Sequence, residues 1–112
     1  MIDLYLSPSP NGHRISILLE EIGLEYRLVQ RGIDWGDKLT AAVARISPNG
    51  EIPAIVDHDG PYGSPVSMCE SGAILLYLAG KTGQFMPKEV RRGYQVIEWL
   101  MFQVGTAGPI FQ

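Results

Sequence analysis

The first thirty residues leave few folds open. Ile2, Leu4 and Leu6 alternate with Asp3 and Tyr5, the two-residue period of a strand, and Ser7-Pro8-Ser9-Pro10-Asn11-Gly12 stops it. From His13 the apolar residues Ile15, Ile17, Leu18, Leu19 and Ile22 recur at helical spacing until Gly23, with Asn11 placed to cap the start. Tyr26, Leu28 and Val29 return as a second short strand. Strand, helix and strand in so short a span make a βαβ unit, whose strands run parallel and whose crossover is right-handed.

The remaining elements follow from the same reading. Residues 35–46 form a weaker helix, with Leu39, Ala42, Val43 and Ile46 on one face, ended by Ser47-Pro48-Asn49-Gly50. Ile52 to Val56 is a strand that begins at a proline, Asp57 to Pro65 is a turn-rich connection, and Val66 to Cys69 is the partner strand. Glu70-Ser71-Gly72 opens a helix over the apolar run Ala73 to Ala79, and Gly83 closes it. The order is βαβαββα, an α/β fold. After Pro87, the residues Tyr94, Ile97, Leu100, Met101 and Val104 put an apolar stripe on a further helix, still unfinished at Gly108-Pro109.

Composition narrows the function classes. The chain has 112 residues, the size of one domain. A net charge of -3, with nine Lys and Arg scattered along it, argues against a nucleic-acid surface, which needs a concentrated basic face. Cys69 is the only cysteine, so an internal disulfide, a CxxC redox pair and a zinc cluster are all excluded. No apolar stretch reaches membrane-spanning length, and acidic Asp3 and the Ser7 to Pro10 turn stand where a signal peptide would need a basic start and an apolar run. The expected setting is the cytoplasm, with no membrane partner and a small molecule or protein as ligand.

Two spaced motifs carry a resemblance. Ile52-Pro53 opening the third strand and Glu70-Ser71-Gly72 opening the next helix resemble the N-terminal domain of cytosolic glutathione transferases. Ser9-Pro10-Asn11-Gly12-His13, Arg45-Ile46-Ser47-Pro48-Asn49 and Trp99 with Gln103-Val104-Gly105 and Gly108-Pro109 resemble most the bacterial nu class and its fungal nitrogen-regulator relatives. The resemblance implies a thioredoxin-like domain over residues 1–83 with a four-stranded mixed sheet. Residues 84–112 are then a linker and the first helix of an all-helical C-terminal domain.

It also implies a site. Pro53 is the family's cis-proline, and Ile52 before it offers its backbone to the cysteinyl group of glutathione. Glu70 and Ser71 grip the γ-glutamyl end, which is sensible chemistry: a carboxylate pairs with an ammonium, while a hydroxyl at a helix N-terminus favours a bound carboxylate. Ser9 and Asn11 stand by position near the glutathione sulfur as the catalytic pair, donating hydrogen bonds that favour thiolate over thiol. Lys38 lies where family members reach the glycine carboxylate, and a lysine suits that charge. The chain departs from the pattern at Ser9, where threonine is usual, at Glu51, where lysine or a neutral residue is common, and in length. Family members continue for roughly as many residues again.

The resemblance implies a homodimeric enzyme with glutathione as co-substrate and a small electrophile, disulfide or hydroperoxide as second substrate. Its alternative is a non-enzymatic glutathione-binding or protein-interaction module. The remaining chemistry-bearing residues have simpler readings. His13 and His58 lack neighbours at metal-ligand spacing and read as surface or capping residues, so no metal site is expected. Cys69, on an apolar strand, reads as a small buried hydrophobe. Trp99, Met101 and Phe102 read as subunit contact.

Overall fold

The computed structural model describes residues 1–6, 10–30, 45–47 and 52–111. Four strands form one sheet in the order β2-β1-β3-β4: β1 (Ile2–Leu6), β2 (Tyr26–Gln30), β3 (Ala54–Asp57) and β4 (Val66–Cys69). β1 and β2 run parallel, as the short βαβ span requires, while β3 is antiparallel to both β1 and β4. The sheet is therefore mixed. Among the described residues the longer helices are α1 (Pro10–Ile22), α2 (Ser71–Thr82) and α3 (Val90–Phe102).

Register explains which side chains are inside. Ile2 pairs with Asp57 and Leu4 with Ile55, and Ile55 in turn faces Met68, so these residues share one face of the sheet. Ile15 and Leu19 of α1 and Ile74 and Leu78 of α2 close over that face, and all four are fully buried with Leu4 and Ile55. The spacing of four residues in each pair is the helical stripe that the sequence shows. Burial of six such side chains at roughly 1.5–3 kcal/mol each is the main term that offsets chain entropy.

Several expectations need correction. Asn11 is not the cap of α1 but lies within its first turn. The helix starts at Pro10, whose fixed φ and missing N–H suit the first helical position. The third strand begins at Ala54 rather than Ile52, because Pro53 has no N–H to give a ladder, and it runs on to Asp57. Asp3, on the polar side of the alternation, is buried: Arg27 sits opposite it in the β1–β2 register and binds both its oxygens, Nε to Oδ1 at 3.0 Å and Nη2 to Oδ2 at 2.9 Å. His58 is at the surface as expected, and its Nε2 also lies 2.9 Å from the same carboxylate. Cys69 is half-buried. The helix expected over 35–46 lies outside the described residues except for Arg45 and Ile46, which are helical.

The last helix does not stop at Phe102. A π turn, Gln103–Ala107, leads into a short helical turn Gly108–Phe111, and the Gly108 N–H donates to the Gln103 carbonyl five residues back. A Cβ on residue 108 would lie 2.8 Å from that same carbonyl oxygen, which is why glycine stands there. α3 itself is started by Glu89, whose carboxylate accepts from the N–H groups of Arg91 at 3.1 Å and Arg92 at 2.8 Å. Replacing Glu89 by alanine is expected to cost about 1 kcal/mol, the usual worth of a helix cap, measurable as a lower thermal midpoint.

Candidate functional site

Among the described residues, one end of the sheet collects Asn11, Ile52, Pro53, Glu70 and Ser71. β3 is antiparallel to β1, so the start of β3 lies beside the end of β1, from which the chain enters α1. Ala54 pairs with Cys69 at the end of the β3–β4 ladder. Ile52-Pro53 immediately precedes Ala54 and Glu70-Ser71 immediately follows Cys69, so both motifs lie at this end of the sheet. The Ile52-Pro53 peptide bond is cis, as the resemblance implies. Asn11 is in the first turn of α1 at the same end, and Ser9 and Lys38 lie outside the described residues.

Glu70 is the residue whose local structure is least explained by folding alone. It precedes α2 with φ 75° and ψ 112°, backbone that a side chain with a Cβ seldom adopts. Such a residue costs on the order of 1–3 kcal/mol and persists where the surroundings hold it, often at ligand sites. Its carbonyl accepts the Ile74 N–H at 3.0 Å and so begins the helix, yet its side chain makes no capping hydrogen bond. The contrast with Glu89, which stands at the same place before α3 and spends both oxygens on capping, is direct. Glu70 is exposed, so its carboxylate points no charge into the core and is available to a cation.

Ser71 follows at the first helical position, half-buried, where the N-terminal N–H groups of a twelve-residue helix present partial positive charge. An acceptor-only carboxylate thus adjoins a donor-rich helix end. That pair of opposite polarities a residue apart fits a zwitterion, an ammonium on Glu70 and a carboxylate on Ser71 and the helix N–H groups. Gly72 is buried behind them, and a Cβ there would lie 3.6 Å from Val104 and 4.0 Å from Leu100, so α3 backs the start of α2.

Sequence reading missed a second cluster at the other end of α2. Asp57 is fully buried and accepts from the Tyr77 hydroxyl at 2.6 Å, Lys81 Nζ at 2.6 Å and the Asp59 N–H at 3.0 Å. Burial pushes its carboxyl up, but the bonds from Lys81, Tyr77 and the Asp59 N–H outweigh it and hold the group below the usual carboxylate range. Tyr77 is pushed up to about 12 by burial and by its bond to Asp57. The signal was present: an aspartate closing the apolar run Ala54-Ile55-Val56, and a Tyr and a Lys four apart on the following helix. Asp3 is likewise held low, burial being outweighed by the bonds from His58 and Arg27. An apolar cavity of about 430 Å³ opens beside this second cluster, between Pro61 and Gly80, and Glu70 does not line it. Among the described residues no group of His, Cys, Asp and Glu is arranged to hold a metal ion, and no helix is long and apolar enough to cross a membrane.

Comparison with known proteins agrees with the fold. The family model for the glutathione S-transferase N-terminal domain matches residues 8–81. The disulfide-bond oxidoreductase YfcG of Escherichia coli K12 is 52% identical over 113 residues, covering 98% of this chain and 52% of that protein. Protein URE2 of Eremothecium gossypii is 32% identical over 108 residues, covering 91% of this chain and 30% of URE2. A crystal structure of a glutathione transferase family member from Pseudomonas fluorescens Pf-5, with two glutathione bound, superposes with a TM-score of 0.90 at 48% identity, covering 98% of this chain and 48% of that one. The chain spans about half the length of YfcG and of the Pseudomonas protein. The thioredoxin-like sheet order, the cis Ile52-Pro53 bond and the match over residues 8–81 together place this chain in the glutathione S-transferase family, in the N-terminal domain.

Proposed function

We propose that this chain binds glutathione at the end of the sheet where Ile52-Pro53 precedes β3 and Glu70-Ser71 follows β4, and lowers the thiol pKa so that the thiolate reacts. The observation that carries this reading is the exposed carboxylate of Glu70, which caps no helix, on positive-φ backbone next to the N-terminus of α2. Glu70 takes the γ-glutamyl ammonium, Ser71 and the helix N–H groups take its carboxylate, and the Ile52 backbone pairs with the cysteinyl unit. Asn11 and Ser9 donate to the sulfur, and Lys38 reaches the glycine carboxylate. Residues 1–83 are the glutathione domain, and residues 84–112 begin the helical one.

The chemistry is nucleophilic. The proton leaves to solvent, and the thiolate forms a new bond to an electrophilic carbon as that carbon's leaving group departs with its electron pair, or to one sulfur of a disulfide while the other sulfur leaves as thiolate. YfcG and the Pseudomonas protein support this reading by their names, one as a disulfide-bond oxidoreductase and the other as a glutathione transferase family member. The protein acts in the cytoplasm as a homodimer, with Trp99, Met101 and Phe102, which are exposed, at the subunit contact. Trp99 and Phe102 already stack edge to face at 5.8 Å.

The reading is tested by turnover of a model mixed disulfide or hydroperoxide with glutathione. Asn11→Ala is expected to slow it about tenfold, the equivalent of roughly one unit of thiol pKa. Full activity in the variant would remove Asn11 from the mechanism. The likeness to Ure2p, solved in complex with glutathione, supports a second reading, a non-enzymatic glutathione-binding or protein-interaction module. Binding without any glutathione-dependent turnover would select it.

A further inference from the structure

Asp57, Tyr77 and Lys81 join the two elements that bracket the candidate site, but at their far ends. β3 starts just after Pro53 and ends at Asp57, while α2 starts at Ser71 and carries Tyr77 and Lys81 one turn apart. One carboxylate oxygen of Asp57 receives both side chains at 2.6 Å and the other receives the Asp59 N–H at 3.0 Å. Lys81 Nζ also donates to the Asp59 carbonyl at 2.8 Å. Among the described residues every buried side-chain polar atom has a partner.

The rest of the α2 contact is apolar. Ile74 and Leu78 press the helix against the sheet, and apolar burial is non-directional, so it resists separation more than rotation or tilt. Tyr77 leaves the helix about 100° round from Leu78, because there are 3.6 residues per turn. Its short bond to a carboxylate in the sheet therefore fixes the rotation that Leu78 leaves loose. Lys81 lies ten residues from Ser71, about 15 Å along the axis, so a tilt of about 5° at that end moves Ser71 by about 1 Å. A displacement of that size is enough to spoil hydrogen bonds to a bound group.

We propose that Asp57, acting through Tyr77 and Lys81, is a positioning residue for recognition of the γ-glutamyl end of glutathione. It touches no ligand. It sets the rotation and tilt of α2 so that Glu70 and Ser71 meet the ammonium and the carboxylate of one amino acid together. The proposal rests on the glutathione reading and adds that selectivity for the γ-glutamyl group depends on residues at the opposite end of the helix.

The test compares glutathione with cysteinylglycine, which lacks the γ-glutamyl group, by calorimetric titration or displacement on the same protein. The ratio of the two dissociation constants measures γ-glutamyl recognition. Asp57→Asn is expected to reduce that ratio about tenfold and Tyr77→Phe about threefold, with cysteinylglycine affinity within about twofold of the unaltered protein. A cluster that serves stability alone would lower the thermal midpoint and leave the ratio unchanged. An unchanged ratio in Tyr77→Phe, with a normal far-ultraviolet circular dichroism spectrum, overturns the proposal even where Asp57→Asn does not fold. Absence of glutathione binding to the unaltered protein is a different outcome, which overturns the underlying reading and this proposal with it.

Discussion

Lys81→Met is expected to lower the free energy of unfolding by about 3 kcal/mol in urea titration, with the fold retained. The variant keeps most of the lysine's volume and removes its charge, leaving the Asp57 carboxylate fully buried with only the Tyr77 hydroxyl and the Asp59 N–H as donors. Breaking a buried pair by deleting one partner costs about 3–5 kcal/mol, and the lower end applies because the Lys81 side chain is 25% exposed and water takes part of its role. The pH dependence carries a sign. Asp57 is held below its unfolded value, so the stability it contributes is complete above the ordinary carboxylate range and disappears as the pH falls through the lowered folded value. Lys81→Met weakens that depression, and the acid side of its stability profile is expected to be shallower than that of the unaltered protein. A parallel profile with a small loss would show that Tyr77 and the Asp59 N–H suffice.

Glu70→Gln is expected to weaken glutathione binding about thirtyfold while leaving stability nearly unchanged. A hydrogen bond to a charged group is worth about 1.5–3 kcal/mol, which converts to roughly ten- to a hundredfold in affinity. Glutamine keeps the shape of the side chain and loses the charge that pairs with the ammonium. Stability is insulated because the Glu70 side chain is exposed and caps nothing. Glu70→Gly separates the two roles: it relieves the positive φ and deletes the carboxylate, so it is expected to raise the thermal midpoint and abolish measurable binding. A variant that loses stability and binding in proportion would mark Glu70 as structural.

The sequence was most legible where a single period or a single residue type decides. Strand alternation in Ile2 to Leu6, helical spacing in Ile15, Leu19, Ile74 and Leu78, and the caps Gly23 and Gly83 on left-handed backbone all correspond to observed elements. The juxtaposition of Ile52-Pro53 with Glu70-Ser71 was legible as two motifs, but their meeting depends on the register of Ala54 with Cys69, which no local pattern encodes. Asp3 and Asp57 were misread or passed over for the same reason. Each is polar by composition and buried by pairing, Asp3 with Arg27 a strand away and Asp57 with a helix twenty residues on. The positive φ of Glu70 was also hidden, since nothing about glutamate signals backbone that glycine would prefer. The π turn at Gln103–Ala107 arises from a bond of Gly108 to a carbonyl five residues back, in a stretch whose apolar stripe reads as an uninterrupted helix.

Calorimetric titration of the unaltered protein with reduced glutathione decides whether Glu70 and its neighbours bind the tripeptide. A saturable isotherm is expected, with a dissociation constant at or below about 1 mM and a heat greatly reduced in Glu70→Gln. No saturable heat at millimolar glutathione, or an isotherm that Glu70→Gln leaves unchanged, would contradict it.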